Sequence, residues 1–116
     1  MEILPNSVVD AIIQVYSNVV TRSPRLHDLN NVRSRLDISE IAKELDAFGN
    51  IVFDKAPPRN LQTYLEIDAL SNESGSYFID VPIFANGEVS DLTLTLFIKM
   101  GEAESFTIQI ENLHVL

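Results

Sequence analysis

The sequence contains no cysteine. That excludes a disulfide framework, thiolate chemistry and any cysteine-ligated metal site. It suits a reducing compartment, and a cytoplasmic location is the expectation. Positive charge is also scarce: 8 Lys and Arg face 17 Asp and Glu, for a formal charge of −9. Nucleic acid is a polyanion and is held by clustered Lys and Arg. The only basic cluster here is Arg22, Arg25, Arg33 and Arg35. Nucleic acid and anionic membrane surfaces are therefore not expected as partners, whereas a basic partner is compatible. Glycine is limited to Gly49, Gly75, Gly87 and Gly101, all in turn-like contexts, so there is no glycine-rich phosphate loop. Long apolar runs are lacking too. The opening "MEILPNSVVD" carries acid rather than base, and the apolar stretch is broken by Asp10 and Gln14. Neither a signal peptide nor a membrane span is expected.

What is present suffices for one core. Apolar residues are 46% of 116, and the length suits a single domain, residues 1–116. The chain changes character near Gly49, giving a helical half (about 1–49) and a sheet half (about 61–116). In the first half Val8, Val9, Ile12, Ile13, Tyr16, Val19 and Val20 recur at helical spacing. Ser7 and Asp10 read as a capping box, so a helix is predicted from about 7 to 21. "SPRLHDLNNVRSRL" is a polar connection. A second helix, about 38–48, follows from the stripe Ile38, Ile41, Ala42, Leu45 and Phe48. Asp37 and Glu40 stand at its start, and Gly49 sits at the left-handed C-cap position. "NIVFDK" is a short candidate strand, ended by the break at Pro57 and Pro58.

From residue 61 the period is two. "TYLEIDAL", "SYFIDVPIF", "VSDLTLTLFIKM" and "SFTIQIENLHVL" alternate apolar and polar, separated by "SNESG", "ANGE" and "GEA". A type I′ turn at Asn86-Gly87 pairs Ala85 with Glu88. Counting back from it predicts Val81 opposite Leu92, Ile79 opposite Leu94 and Tyr77 opposite Leu96. A three-residue loop, Gly101 to Ala103, sets Ile98 opposite Phe106, Leu96 opposite Ile108 and Leu94 opposite Ile110. One face is then apolar throughout and needs a cover, and the two helices are the available one. The predicted fold is α+β: two N-terminal helices packed on one face of a curved antiparallel meander of four strands, or five if "NIVFDK" joins. The order of elements is similar to that of the cystatin-like and NTF2-like folds, which by itself implies no activity.

"SDLTLTLFI", the terminal "IENLHVL" and the preceding "YFIDVPIFANGE" together resemble a family of short, uncharacterised bacterial proteins, a domain of unknown function. Its chains close with an S-D-L-T-L strand and an Ile-or-Leu, H-V-L ending. The resemblance covers roughly residues 77–116. Glu111 and Asn112 depart from the aspartate-like positions usual there. It implies a fold and no activity.

Four groups of residues are candidates for function. His114 lies where the alternation slips near Glu111–Leu113, as a β-bulge or a strand end would cause. With such a bulge Leu113 and Val115 turn inward and His114 outward. The plainer role is a histidine capping the sheet end, and His27 in the connector is a weaker candidate. Second, the derived registers put Asp80, Thr93 and Glu111 in one row on the outer face, a spacing reminiscent of paired catalytic carboxylates. An open, solvated face does not perturb carboxylates as acid catalysis needs. Third, Phe78, Phe84, Val89 and Phe97 fall on the outer side, a candidate interface for self-association or another protein. Fourth, a pocket would draw its polar lining from Tyr64, Tyr77, Asn112 and His114. The inner face is otherwise nearly all Leu, Ile and Val, which is poor material for a catalytic cone. No spacing suggests zinc, calcium or a hydrolase triad, so no metal, no cofactor and no catalytic residue are expected. The favoured function is a non-enzymatic module that binds itself or another protein. The alternative is an NTF2-like small-molecule pocket or a weak enzyme.

Overall fold

The computed structural model describes residues 4–70, 75–103 and 105–115. The elements are α1 (Asn6–Val20), β1 (Val32–Ser34), α2 (Ile38–Asp46), β2 (Glu66–Ala69), β3 (Ser76–Ala85), β4 (Glu88–Met100) and β5 (Phe106–Val115), with 3-10 turns at Pro24–Asp28 and Leu61–Tyr64. The fold is α+β. The sheet has five strands in the order β1-β5-β4-β3-β2 and is mixed. Strands β2 to β5 form the antiparallel meander that the period-two pattern predicts. The fifth strand corrects the expectation. It comes from the polar connection, and β1 runs parallel to β5 through Val32–Ile108, Arg33–Gln109 and Ser34–Ile110. "NIVFDK" forms no strand; its Asp54 instead donates its N–H to the Phe84 carbonyl at 2.7 Å.

Helix boundaries follow local chemistry. α2 starts as expected: the Asp37 carboxylate accepts the Glu40 N–H at 2.8 Å and the Ser39 hydroxyl at 2.6 Å. These two bonds, the hydroxyl first, hold its carboxyl below the ordinary aspartate range. The helix stops at Asp46, two residues short of the predicted end, and Gly49 adopts φ +70 beyond it. The predicted capping box at Ser7 does not form. Pro5 is the N-cap of α1 and no side chain caps it. Proline's fixed φ sets the chain at the helix entry, and the Pro5 carbonyl takes up the Val8 and Val9 N–H groups.

The core is one cluster. Val8, Ile12, Val15, Tyr16 and Val19 of α1 and Ile41 and Leu45 of α2 join Ile79, Val81, Ile83, Leu92, Leu94, Leu96, Ile98, Ile108, Ile110 and Leu113 of the sheet. Of the strand residues predicted to face inward, Tyr77 and Phe106 are partly buried against it and Val115 is exposed; the others are in it.

Between the Asn86-Gly87 turn and the Glu111 bulge the registers are displaced by two residues from those derived above, and the reason is local; beyond that bulge Leu94 faces Leu113. Ala85 pairs with Glu88 as predicted, around Asn86 and Gly87 at positive φ. The pairing then shifts between Pro82 and Phe84, so that Val81 faces Leu94, Ile79 faces Leu96 and Tyr77 faces Ile98. Ser90 stabilises the bulge: its hydroxyl donates to the Ile83 carbonyl at 2.6 Å and accepts the Leu92 N–H at 3.2 Å. The β4–β5 hairpin closes at Met100–Phe106 rather than around a three-residue loop, which sets Ile98 opposite Ile108 and Leu96 opposite Ile110. A displacement of two leaves each side chain on its predicted face, because the side-chain period is two. The turn expected at "SNESG" falls largely on residues 71–74, outside the described residues.

Candidate functional site

The register lays out the face opposite the core row by row. Pro82, Thr93 and His114 form one row. Glu66, Asp80, Thr95 and Asn112 form the next, and Asp68, Phe78, Phe97 and Gln109 the third. The row expected from sequence, Asp80 with Thr93 and Glu111, is not present. The β4 bulge moves Thr93 next to Pro82, and Asp80 instead lies opposite Thr95, whose hydroxyl it accepts at 2.7 Å. Glu111 sits at a second bulge, where the β4–β5 register shifts between Thr95 and Leu96. There Glu111 is engaged by Arg35 at 2.9 Å and by the Gln109 amide at 2.8 Å. The slip anticipated near Glu111–Leu113 is therefore a bulge. It turns Leu113 into the core, while Val115, on the same side at the strand end, is exposed.

His114 is on the outer face. The Asn112 oxygen accepts the Leu113 N–H at 2.9 Å, so its amide nitrogen is the group 3.3 Å from His114 Nδ1. In the neutral ring this makes Nδ1 the acceptor and places the proton on Nε2. That Nε2 is buried and has no hydrogen-bond partner among the described residues. Across the strand pair is Thr93, 3% exposed.

The four residues considered for a pocket do not converge. Tyr77 shares the inner face with Ile79 and Val81, at the sheet edge beside Ala69. Asn112 and His114 are on the outer face, with Asn112 exposed. Tyr64 is at the other side of that face, its ring set edge-on against Phe84 with centroids 5.2 Å apart.

The four aromatic and apolar residues considered for an interface divide as well. Phe78 and Phe97 are cross-strand neighbours with ring centroids 5.1 Å apart, and Phe78 is 37% exposed. Val89 is 52% exposed. Phe84 does not belong to an open surface: it is 1% exposed, and its backbone is tied to Tyr16 and Asp54. The alternating pattern puts Phe84 on the correct side but cannot show that Tyr64 lies over it.

A cleft that sequence reasoning missed opens between these groups. It has a volume of about 160 Å³ and is lined by Tyr64, Glu66, Asp80, Pro82, Val89, Ser90 and Thr93. The bulged residues of β4 shape one wall. Glu66 and Asp80 are direct cross-strand partners. The available signal was the acidic residue in "YLEIDAL" opposite the one in "YFIDVPIF", but it needed the β2–β3 register, whose turn is not decodable from "SNESG". A larger cleft, about 380 Å³, lies between the end of α1 and the 51–55 segment, lined by Val20, Thr21, Arg22, Leu45, Ile51, Val52, Phe53 and Lys55. A third, about 170 Å³, is bounded by Leu36, Glu40, Lys43, Glu44, Asn112 and Leu113. Among the described residues no three His, Cys, Asp or Glu side chains are grouped to hold a metal ion, and no helix is long and apolar enough to cross a membrane.

No curated protein and no solved structure matches the chain. A family model does match, over residues 15–116, which takes in the C-terminal end of α1 from residue 15, all of the sheet and both bulges. The chain belongs to the family described as Domain of unknown function (DUF7668).

Proposed function

We propose that this chain is a non-enzymatic protein-interaction module whose helices close the inner face of the sheet and leave the outer face as the contact surface, first of all for a second copy. The observation that carries this reading is the Phe78–Phe97 pair, two rings in tilted contact with centroids 5.1 Å apart on that face, with Phe78 still 37% exposed. An aromatic side chain contributes roughly 1.5–3 kcal/mol when fully buried, so leaving such a pair wet forgoes stabilisation that association would recover. Aromatic anchors at the centre of a patch are the usual carriers of interface energy. The lack of convergent polar groups on the inner face weighs against a catalytic or ligand-filled cone.

Sedimentation velocity with circular dichroism tests the proposal. The unaltered protein should sediment as a dimer or larger at about tens of micromolar, a concentration at which even micromolar affinity populates the complex. Phe78→Thr with Phe97→Thr should give a folded monomer, since threonine keeps β propensity and removes the apolar surface. A monodisperse monomer for the unaltered protein would overturn association with a second copy.

A further inference from the structure

We propose that two copies pack outer face to outer face in one orientation, about a two-fold axis that runs along the strands between β3 and β4 and brings the basic edge of each sheet over the acidic edge of the other. This rests on the association reading above and names the residues that select the orientation. The register sets one outer-face row across the whole sheet: Arg33 on β1, Gln109 on β5, Phe97 on β4, Phe78 on β3 and Asp68 on β2. Its two ends are exposed and opposite in charge, and neither Arg33 nor Asp68 has an ion-pair partner among the described residues. Arg35, just past β1, and Glu66 on β2 repeat that polarity, although Arg35 is already engaged by Glu111. The row is four strand spacings wide, about 19 Å at about 4.8 Å each. Arg33 and Asp68 of one chain therefore cannot meet.

Symmetry and charge together choose the arrangement. A dimer of two like faces has its two-fold axis in the plane between them. With that axis along the row, each residue comes over its own copy, so Arg33 meets the partner's Arg33 and Asp68 the partner's Asp68. Like charges set against each other across an interface suppress an orientation. With the axis along the strands the row is reversed. Arg33 then comes within one strand spacing of the partner's Asp68, a gap that a long arginine side chain spans, and the symmetry makes the contact twice. Phe97 comes over the partner's Phe78, so the two aromatic pairs, each with centroids 5.1 Å apart, merge into one four-ring cluster at the centre. Lys99, whose cross-strand neighbour is Ser76, comes over the partner's Ser76 rather than over a second lysine. The rings supply the buried apolar surface, and the charged edges fix the direction.

Sedimentation equilibrium on Arg33→Asp, on Asp68→Arg and on their equimolar mixture tests the orientation, with circular dichroism to follow the fold of each variant. Each variant alone should dimerise at least about tenfold more weakly than the unaltered protein, because every dimer then holds two like-charge contacts. The mixture should recover the unaltered affinity to within about threefold, since each heterodimer regains two opposite-charge contacts. The width of the row excludes rescue within one chain, and a variant that failed to fold could not be rescued by mixing. Raising the salt from about 0.05 to about 0.5 M should weaken the unaltered dimer and strengthen that of each variant. A mixture no tighter than either variant alone would overturn the orientation, as would single variants that dimerise like the unaltered protein. Arg33→Asp binding the unaltered chain more tightly than that chain binds itself would put the axis along the row and overturn it too. Those three results leave the association through Phe78 and Phe97 standing. An unaltered protein that stays monomeric at about a hundred micromolar fells both readings.

Discussion

Leu94 lies between Val81 and Leu113 on the inner face and is fully buried. Its truncation leaves a hole that neighbouring strands cannot close. Leu94→Ala should cost about 2–4 kcal/mol in urea denaturation, the usual range for such a cavity. Tyr16 has a different role. It is fully buried, and its hydroxyl oxygen accepts the Phe84 N–H at 2.9 Å at the point where β3 leaves regular pairing. Tyr16→Phe removes that acceptor and strands a buried backbone donor, at about 1–3 kcal/mol. Burial, outweighing the Phe84 hydrogen bond, pushes the phenol above its ordinary value. A group whose folded value is raised gives stability that is intact below the unfolded value, about 10 for tyrosine, and lost as pH rises through the folded one. The stability gap between the unaltered protein and the Tyr16→Phe variant should therefore narrow above about pH 10, and denaturation series at neutral and alkaline pH would show it.

At the scale of elements, the parts set by local chemistry were readable in the sequence and the parts set by distant contacts were not. The amphipathic stripes place both helices to within two residues. Asn86-Gly87 fixes the tip of the β3–β4 hairpin, and period-two alternation assigns the faces of β3, β4 and most of β5. The β4 bulge was not legible, because Ser90 acts by bonding to the Ile83 carbonyl across the strand, and nothing in "VSDLTL" announces it. The slip at Glu111 was visible because it breaks the apolar alternation itself. β1 was missed because a three-residue parallel edge strand has no room for a period, and its partner lies at the far end of the chain. The outer-face cleft depends on the β4 bulge and on the β2 register, so it was hidden with them. The cap of α2 is a local device with a pH signature. The Asp37 carboxyl is held below its ordinary value by Ser39 and Glu40, so its stabilisation is present above the unfolded value, about 3.9, and disappears as pH falls through the folded one. Asp37→Ala should lower the melting temperature at neutral pH and match the unaltered protein in strong acid.

For the molecule as a whole, the excess of negative charge predicts what it avoids. Acidic residues outnumber basic ones by 17 to 8, and two of the arginines are tied up in pairs, Arg22 with Asp46 and Arg35 with Glu111. Fluorescence anisotropy with labelled DNA and RNA should show no binding at physiological salt. Micromolar binding that weakens steeply with added salt would contradict this. Self-repulsion should also make the fold more stable as salt is added toward about 0.15 M, where the Debye length is about 8 Å.

The parallel seam between β1 and β5 has a consequence in time. The β3–β4 and β4–β5 hairpins close over short connections, events of microseconds. β1 precedes α2 and must find a strand formed by residues 106–115, so its docking carries the largest loop-closure cost in the sheet. The seam is short: three residue pairs, flanked by Ile108 donating to the Asn31 carbonyl at 2.7 Å and Arg35 to the Ile110 carbonyl at 3.0 Å. β1 should therefore join after the rate-limiting step. Val32→Ala should speed unfolding and leave the refolding rate unchanged in stopped-flow experiments. Until that late docking, the Ile108–Ile110 edge of β5 stays open as a transient adhesive rim, so refolding yield should decline as protein concentration rises.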